Sequence, residues 1–515
     1  MSDIGTNKTI AKNTIFLYIR SFLMMAIGLF SSRVILQALG VEDFGLNGAI
    51  GSIVAMFTMI NGVLSAGTSR FLTFELGKGD MERVRKTFSA SFTMHACLAM
   101  ILFVLMETIG LWFVNNKLNI PEGREFAANV VYQLSIVTCM LSLTQVPYGA
   151  CIIAHEKMSI YAYVGIAEVT FKLALIFALL YIPFADNLIA YAIIVASWGI
   201  GLQIWYRFYC RKHFLESNLM IVRDKSIYKG MLSYSLWDFV GQFCATGNGQ
   251  GLNILINIFF GVTMNAARSV AYQVEGAITQ FSGNFMLSVQ PQIVKSYAKG
   301  DYSRFFQLIY EGGRYSFFLL FLVSLPIFLE ANYIQSIWLV DVPPMSVLFL
   351  RCIIVITLLR VPSQTIIKGV HATGKVKILN LTSGVYSVVT YLPIIYLCYK
   401  MGLPVWTCFI VHAFNGLVMC TYLEMRSLKL NIEYNMLDYY TQVYVRSIGI
   451  CSLAIIPSVI PLLLMPEGLL RLIFTSLICL ASTGIVVYCL GLKKEIRLRL
   501  NTIILNRIRL LLDVE

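Results

Sequence analysis

Charged side chains are scarce in this sequence: Asp, Glu, Lys and Arg make up 13% of its 515 residues. Hydrophobic residues make up 58%, and the mean hydropathy is +0.74. A soluble domain of this length cannot bury so much apolar surface. The shortage of charge therefore excludes a soluble globular protein and predicts a chain that lies mainly in a membrane.

The sequence also lacks the motifs of common catalytic and nucleotide-binding sites. It contains no GxxxxGK[ST], HExxH or GxSxG pattern and no glycine-rich phosphate-binding loop. The twelve cysteines lie mostly in apolar stretches without CxxC or Cys/His ligand spacing, so they are interpreted as small apolar residues. We therefore expect a protein that is not an enzyme, binds no metal or cofactor, and does not hydrolyse ATP.

Long apolar runs are abundant. Each is about 20 residues or longer, the length that a helix needs to cross a hydrocarbon layer of roughly 30 Å. Continuous apolar runs exclude a barrel, so the predicted fold is all-α and integral to the membrane. The fourteen predicted spans lie near residues 13–38, 46–69, 87–114, 127–153, 161–183, 188–208, 230–259, 266–290, 309–330, 346–368, 378–399, 404–425, 443–465 and 469–491.

The basic residues lie mainly on one side of the predicted membrane. The net charge is +13, and fourteen spans place 28 lysines and arginines on one side against 4 on the other. The positive-inside rule assigns the basic side, with both termini, to the cytoplasm. Topology thus explains the positive charge, and a nucleic-acid partner is not expected.

Two short loops are repeated in the sequence 221 positions apart. Residues 76–83 read LGKGDMER, and residues 298–304 read AKGDYSR. The same offset carries Gly40 onto Gly261 without a gap. One register held over about forty residues indicates an internal duplication.

The duplication predicts the domain organisation. The first six spans map onto spans 7 to 12, and both sets start on the same side, so the two lobes form a parallel repeat about an axis along the membrane normal. The last two spans follow as an addition. The predicted segments are an N-terminal lobe at 1–206, a basic cytoplasmic linker at 207–229, a C-terminal lobe at 230–427, two further helices at 428–491 and an amphipathic cytoplasmic tail at 492–515.

Polar side chains follow one face of spans 7 and 8 in steps of three and four residues. A polar seam between helices explains the amides as well as a hydrated cavity does. Each charge costs roughly 2.5 to 3.5 kcal/mol at the bilayer centre unless it is hydrated or paired, and this favours the cavity. The candidate cavity residues from these spans are Asp238, Gln242, Asn253, Arg268 and Glu275.

Three further arginines of the predicted spans are candidates for the cavity. Arg20 and Arg33 belong to the first span, and Arg360 lies near the middle of the tenth. An arginine near the membrane surface can extend its head into the headgroup layer, which for Arg33 is as good an explanation as a binding site. A guanidinium forms bidentate hydrogen bonds to phosphate oxygens and stays positively charged inside proteins. A cavity lined by these arginines would select an anion, especially a diphosphate.

Acidic residues in the spans have competing interpretations. Glu168 and Lys172 are four positions apart on one helix and are expected to pair with each other, and a role in coupling transport to an ion is the alternative. Glu107 and Glu275 either neutralise an arginine of a neighbouring helix or carry a proton.

Five segments give the sequence a resemblance to a known family. Over residues 10–425 it resembles the polysaccharide flippases of the multidrug/oligosaccharidyl-lipid/polysaccharide exporter (MOP) superfamily, above all the Wzx-type translocases of bacterial surface-polysaccharide clusters. ATGNGQGLN departs in places from the pattern expected before the second lobe. The segments are SSRVILQALGVEDFGLNGAIGSIVAMF, TSRFLTFELGKGD, PYGACIIAHEKMSIYAYV, GLNILINIFFGVTMNAARSVAYQV and QPQIVKSYAKGDYSRFFQLIYEGGRYSFF.

The resemblance implies two six-helix lobes around a central cavity that opens to the two sides in turn. It implies export of polyprenyl-diphosphate-linked oligosaccharide repeat units to the periplasmic leaflet of the bacterial inner membrane, for O-antigen, capsule or exopolysaccharide synthesis. Its partners would be this lipid-linked substrate and the polymerase and other polysaccharide-assembly proteins. In the repeated loops, Gly79 and Gly300 are interpreted as hinge turns of the two lobes.

Two other functions are weighed against the flippase. A cation-coupled multidrug exporter of the same fold would depend on a membrane-embedded acid, with Asp238 or Glu275 as the candidate. An integral-membrane polysaccharide polymerase or ligase is disfavoured, because the longest external stretches, 115–126 and 331–345, are short and lack an acid–base pair.

Overall fold

The computed structural model describes residues 64–117, 122–181, 185–339 and 342–493, with isolated positions between 16 and 54 and at 120, 497, 498 and 501. The first predicted span and most of the second and of the C-terminal tail lie outside these residues. The described residues form helices, turns and bends, and no strand occurs among them. The predicted all-α class is confirmed.

Helices account for most of the described chain. Residues 64–78 are helical and lead into the first numbered helix. The helices are α1 Met81–Leu105, α2 Leu111–Lys117, α3 Glu125–Ala154, α4 Met158–Tyr181, α5 Asn187–His213, α6 Lys225–Ala298, α7 Tyr302–Leu329, α8 Ala331–Trp338, α9 Ser346–Arg360, α10 Ser363–Thr373, α11 Lys377–Leu379, α12 Tyr386–Lys400, α13 Thr407–Val418, α14 Glu424–Lys429, α15 Met436–Tyr439, α16 Arg446–Leu464 and α17 Leu469–Val486.

Wider π-helical turns join or end several of these helices. A π turn adds a residue to the helical period, so it rotates the face that the following helix presents. The π turns are Met106–Gly110, Asn380–Val385, Met419–Leu423, Tyr440–Val445 and Val487–Gly491.

Nine helical stretches among the described residues are long and apolar enough to cross a membrane. The number is ten if α9 and α10, which meet at a bend of 46°, form one span. The two halves of α6, predicted as spans 230–259 and 266–290, are not among them, because polar side chains recur along both. The count of fourteen spans stays a prediction.

Aspartates begin several of the helices, and a glycine breaks one. Asp80, Asp186 and Asp224 precede α1, α5 and α6, and their side chains accept hydrogen bonds from N–H groups of the first turn. These donors have no partner within the helix. Gly261 has a φ of 79°, which residues with a Cβ rarely adopt, and it divides α6 into helices at 225–260 and 262–298.

The chain forms two compact units, each with its own core. In unit 1, Phe88 of α1, Tyr148 of α3 and Cys210 of α5 pack in one buried cluster. In unit 2, Phe317 of α7 packs with Cys451 of α16 and with α17. The domain boundaries predicted from the repeat stay a prediction. Unit 1 consists of Met1–Gln242, Leu287–Phe305 and His371–Lys377, and unit 2 of Phe243–Met286, Phe306–Val370 and Ile378–Glu515.

Candidate functional site

A pocket of about 200 Å³ opens among α6, α9, α12 and α13 of unit 2. It contains two of the predicted site residues, Arg268 and Arg360, and no Asp or Glu is among the described residues that line it. We call it the basic pocket. Its lining residues are Ala245, Asn248, Gly249, Arg268, Tyr272, Arg360, Ser387, Tyr391, His412, Asn415, Gly416 and Met419.

Arg268 is buried on α6, and two contacts orient its side chain. Its Nη1 donates a hydrogen bond to Oδ1 of Asn253, on the other side of the break at Gly261, so the two halves of α6 lie side by side here. The guanidinium carbon lies 4.2 Å from the ring centroid of Tyr272, a cation–π contact. These contacts hold the guanidinium in place without neutralising its charge.

Arg360 is the last residue of α9, and Gly416 of α13 leaves space for it. A Cβ at Gly416 would lie 3.3 Å from Cδ of Arg360. In the described part of the chain, neither Arg360 nor Arg268 forms an ion pair with a carboxylate, and Nε of each is buried without a hydrogen-bond partner. Because the charge of Arg268 is buried without an ion-pair partner among the described residues, an anion in this pocket would be stabilised.

Uncharged polar groups complete the basic pocket. Nδ2 of Asn248 donates a hydrogen bond of 2.8 Å to Oγ of Ser387, and Nδ2 of Asn415 donates one of 2.5 Å to Oγ1 of Thr390. Among the described residues, Oδ1 of Asn248 and Nδ1 of His412 have no partner. The pocket therefore offers hydrogen-bonding groups beside its two charges.

Glu275 lies in the same unit as the basic pocket but is not one of its lining residues. Its Oε1 accepts a hydrogen bond of 3.2 Å from Oγ1 of Thr357 on α9. The sequence left open whether this acid neutralises an arginine or carries a proton. Thr357 is three residues before Arg360, so its hydrogen bond places Glu275 beside the basic pocket.

Asp238 and Gln242 lie outside the basic pocket, in unit 1. The carboxylate of Asp238 is buried and lies 3.8 Å from Nε2 of His371, whose Nδ1 is 2.6 Å from the hydroxyl of Tyr234. Gln242 is exposed. The stripe predicted along span 7 is thus divided, because α6 passes from unit 1 to unit 2 after residue 242.

A second pocket, of about 270 Å³, lies in unit 1 and contains Glu168. We call it the Glu168 pocket. Two amides meet in it, with Nε2 of Gln203 donating a hydrogen bond of 2.5 Å to Oε1 of Gln145. Its other lining residues are Thr138, Ser142, Gly165, Gly199, Leu202 and Tyr206. This pocket combines one acidic group with neutral hydrogen-bonding groups.

Of the remaining predicted charges, the structure describes the side chain of Glu107, which lines neither pocket. Glu107 lies in the first π turn, where its Oε2 accepts a hydrogen bond of 3.1 Å from Nε2 of Gln133. Arg20, Arg33 and the side chain of Lys172 lie outside the described residues. The predicted pairing of Glu168 with Lys172 therefore stays a prediction.

The repeated loops have the same backbone geometry in both copies. Gly79 and Gly300 have φ values of 82° and 74°, in the left-handed region that favours glycine. Each is followed by an aspartate, Asp80 or Asp301, whose Oδ1 accepts a hydrogen bond of 3.0 Å from the N–H three residues later. The offset of 221 in the sequence thus corresponds to a repeated turn and helix start.

The two loop copies also touch each other within unit 1. Ala298 is the counterpart of Gly77, and a Cβ at Gly77 would lie 2.8 Å from Cβ of Ala298 and 3.0 Å from Cα of Lys295. An ion pair of 2.5 Å joins Nζ of Lys295 to Oε1 of Glu156 in the turn after α3. Close packing therefore joins the two loop copies, and the ion pair links this end of α6 to the turn after α3.

Sequence reasoning did not select His412 and Asn415 as site residues. Their spacing of three positions places them on one face of α13, where both line the basic pocket. A search for polar pairs at helical spacing in every apolar span would have found them.

Several solved structures have a similar fold, and two of those named here are described as transporters. One, described as MATE in the straight conformation, has a TM-score of 0.70 and 12% identity, covering 82% of this chain and 95% of the other. An outward-facing multidrug resistance MATE family transporter of the MOP superfamily has a TM-score of 0.67 and 13% identity, covering 85% and 96%. A Pyrococcus furiosus MOP superfamily transporter, whose reversed pocket polarity suggests a different function, has a TM-score of 0.65 and 12% identity, covering 82% and 96%. No family model and no curated protein matches the sequence.

Proposed function

We propose a transport function for this chain, because it shares its fold with solved MATE and MOP superfamily transporters. We propose that it is a flippase that moves polyprenyl-diphosphate-linked oligosaccharide from the cytoplasmic to the outer leaflet of the bacterial inner membrane by alternating access. The substrate crosses without a covalent change, so the protein acts as a transporter and not as an enzyme. The product serves surface-polysaccharide synthesis and is passed to the polymerase and assembly proteins.

One observation carries this proposal: Arg268 and Arg360 line one pocket, and neither forms an ion pair with a carboxylate of the described residues. A hydrogen bond to a charged group contributes about 1.5–3 kcal/mol. Two guanidinium groups match a diphosphate, which carries several oxygens on two linked phosphorus atoms. In this proposal the amides and hydroxyls of the basic pocket contact the first sugar, and the prenyl chain stays in lipid.

Polysaccharide export in cells tests the role of the two arginines. In a strain without its own copy of the protein, Arg268→Gln and Arg360→Gln should each lower surface polysaccharide at least tenfold and let lipid-linked repeat units accumulate. Glutamine keeps much of the side-chain length and removes the charge. The measurement compares labelled surface polysaccharide with the amount of protein in the membrane.

Arg426→Gln provides the matched control. Arg426 is exposed on α14, donates a hydrogen bond of 2.5 Å to Tyr422 and does not line the pocket. This variant should export at the wild-type level. If the two pocket variants reach the membrane and also export at the wild-type level, the basic pocket does not hold the diphosphate.

A multidrug exporter of the same fold is the second candidate. Two observations favour it: a structural neighbour is described as a multidrug resistance transporter, and Glu168 supplies an acidic group in a polar pocket of unit 1. A cationic drug or a coupling cation would bind such an acid. Expression should then raise drug resistance, Glu168→Gln should abolish that gain, and the arginine variants should leave it unchanged. The flippase proposal predicts the reverse pattern.

A further inference from the structure

The chain after α5 brings a carboxylate to the C-terminal end of α3. Cys151 and His155 are four residues apart at this end, so they lie on one face of the helix. Glu216 lies in the short 3₁₀ turn Leu215–Ser217. Sγ of Cys151 is 3.5 Å from Oε1 of Glu216, and Nε2 of His155 contacts the same oxygen. We call these three residues the Cys–His–Glu cluster.

We propose that the Cys–His–Glu cluster is a zinc site, with a water molecule as the fourth ligand. The three donor atoms lie within 4.8 Å of one another, which no other trio of such donors does in the described part of the chain. Bonds of 2.0–2.3 Å to a tetrahedral ion separate neighbouring ligand atoms by about 3.5 Å. Thiolate, imidazole and carboxylate together suit zinc, whereas magnesium and calcium prefer oxygen ligands alone.

The protein already holds these donors close together. Cys151 is 1% exposed and Glu216 2%, whereas the side chain of His155 is 25% exposed, so the imidazole can move off Oε1 of Glu216 to admit an ion. The ring of His155 stacks on Phe214 with centroids 4.3 Å apart, and Oγ of Ser217 donates a hydrogen bond of 2.8 Å to the Phe214 carbonyl. A packed aromatic ring and a hydrogen-bonded turn are the kind of support that orients metal ligands.

The balance of charge also favours a metal ion over a simple ion pair. A zinc ion with a thiolate, a neutral imidazole and a carboxylate forms a site without net charge, as a buried position requires. A protonated His155 beside Glu216 is also neutral, but it leaves the Cys151 thiol as a weak hydrogen-bond donor. The metal site gives each of the three side chains a strong bond.

Zinc would also stabilise the conformation of the turn that follows α3. Glu156, the residue after the ligand His155, has a φ of 60°, which is rare for a residue with a Cβ. In this conformation its carboxylate accepts hydrogen bonds from Nζ of Lys295 and from Nε2 of Gln292. Binding of zinc one residue away would therefore stabilise the turn that holds Glu156 on this segment of α6.

Metal titration of the purified full-length protein in detergent tests the proposal. After treatment with a chelator, the wild type should bind one equivalent of Zn²⁺ and unfold at a higher temperature, and Mg²⁺ at the same concentration should have no effect. Co²⁺ in place of zinc should give the intense near-ultraviolet absorption of a cobalt–thiolate bond. Cys151→Ser should abolish this absorption and weaken zinc binding at least tenfold.

Cys139→Ser is the matched control, because Cys139 is a buried cysteine on the same helix outside the cluster. It should keep both the absorption and the affinity. If Cys151→Ser does not fold, Glu216→Gln replaces it and should also weaken zinc at least tenfold. The proposal is overturned if the wild type binds no zinc, or if the ligand variant that folds binds zinc as tightly as the wild type.

Discussion

Alanine at Gly79 or Gly300 would change the energy of the backbone without adding a clash. Both glycines have φ values in the left-handed region, and a Cβ at either would have no atom within 4 Å. The cost is therefore that of placing an L-residue in this conformation, about 1–2 kcal/mol each. Since both costs are local, the double variant should lose about 2–4 kcal/mol of unfolding free energy.

Gly149 provides a control, because alanine there should raise the stability that alanine at Gly79 or Gly300 lowers. It lies within α3, has a helical φ, and also has no atom within 4 Å of an added Cβ. Alanine there should raise stability by about 0.5–1 kcal/mol. Asparagine at Gly79 or Gly300 should recover part of the loss, because it enters the left-handed region more easily than alanine.

Thermal unfolding of the purified variants in detergent, followed by tryptophan fluorescence, measures these differences. The midpoints should rank Gly149→Ala above the wild type, and the wild type above Gly79→Ala and Gly300→Ala. If alanine at Gly79 and Gly300 raises the midpoint as it does at Gly149, the left-handed turns do not constrain these two positions.

Three further predictions concern side chains outside the pockets. Hydrogen bonds from Ser226 lower the pKa of Asp224, so this carboxylate stabilises the fold above its unfolded pKa; the advantage over Asp224→Ala in unfolding midpoint should vanish as the pH falls through the folded pKa. Gly110→Ala would place a Cβ against the hydroxyl of Tyr132 and lower the free energy of unfolding by about 1–3 kcal/mol, and adding Tyr132→Phe should restore stability rather than lower it further. Glu330→Gln removes a buried carboxylate that pairs with Arg471 of α17 and should cost about 1.5–3 kcal/mol, measured the same way.

Periodicity in the sequence predicted which residues share a helix face, but not which helix that face would meet. Arg268 and Arg360 were selected as charges in apolar spans, and both line the basic pocket. Asp238 was selected by the same reasoning and lies in the other unit. Helical spacing is a local property, whereas the partner of a face depends on contacts between distant segments.

The repeat was the most informative signal in the sequence, and the π turns were the least visible. An offset of 221 predicted tight turns at Gly79 and Gly300, and both have positive φ. No residue pattern marked the π turn Asn380–Val385, which rotates the face of α12 that lines the basic pocket. A helical-wheel projection assumes 3.6 residues per turn, so it assigns residues after a π turn to the wrong face.

The cysteines were interpreted from the sequence as apolar residues without ligand spacing. The four-residue spacing of Cys151 and His155 can be read from the sequence, and it was overlooked. Glu216 could not have been found in this way, because only the folded linker brings it to the end of α3. Local spacing reveals two of the three residues of this cluster, and tertiary structure supplies the third.

Gly77 and Ala298 are counterparts in the repeat, and they meet face to face. A residue touches its own counterpart only beside a two-fold axis, as in the interface of a homodimer. In such a dimer, one mutation would change this position in both subunits. An alanine there would bring two methyl groups too close together. Joining the halves in a single polypeptide lifts that restriction, so one side can carry the methyl group while the other accommodates it.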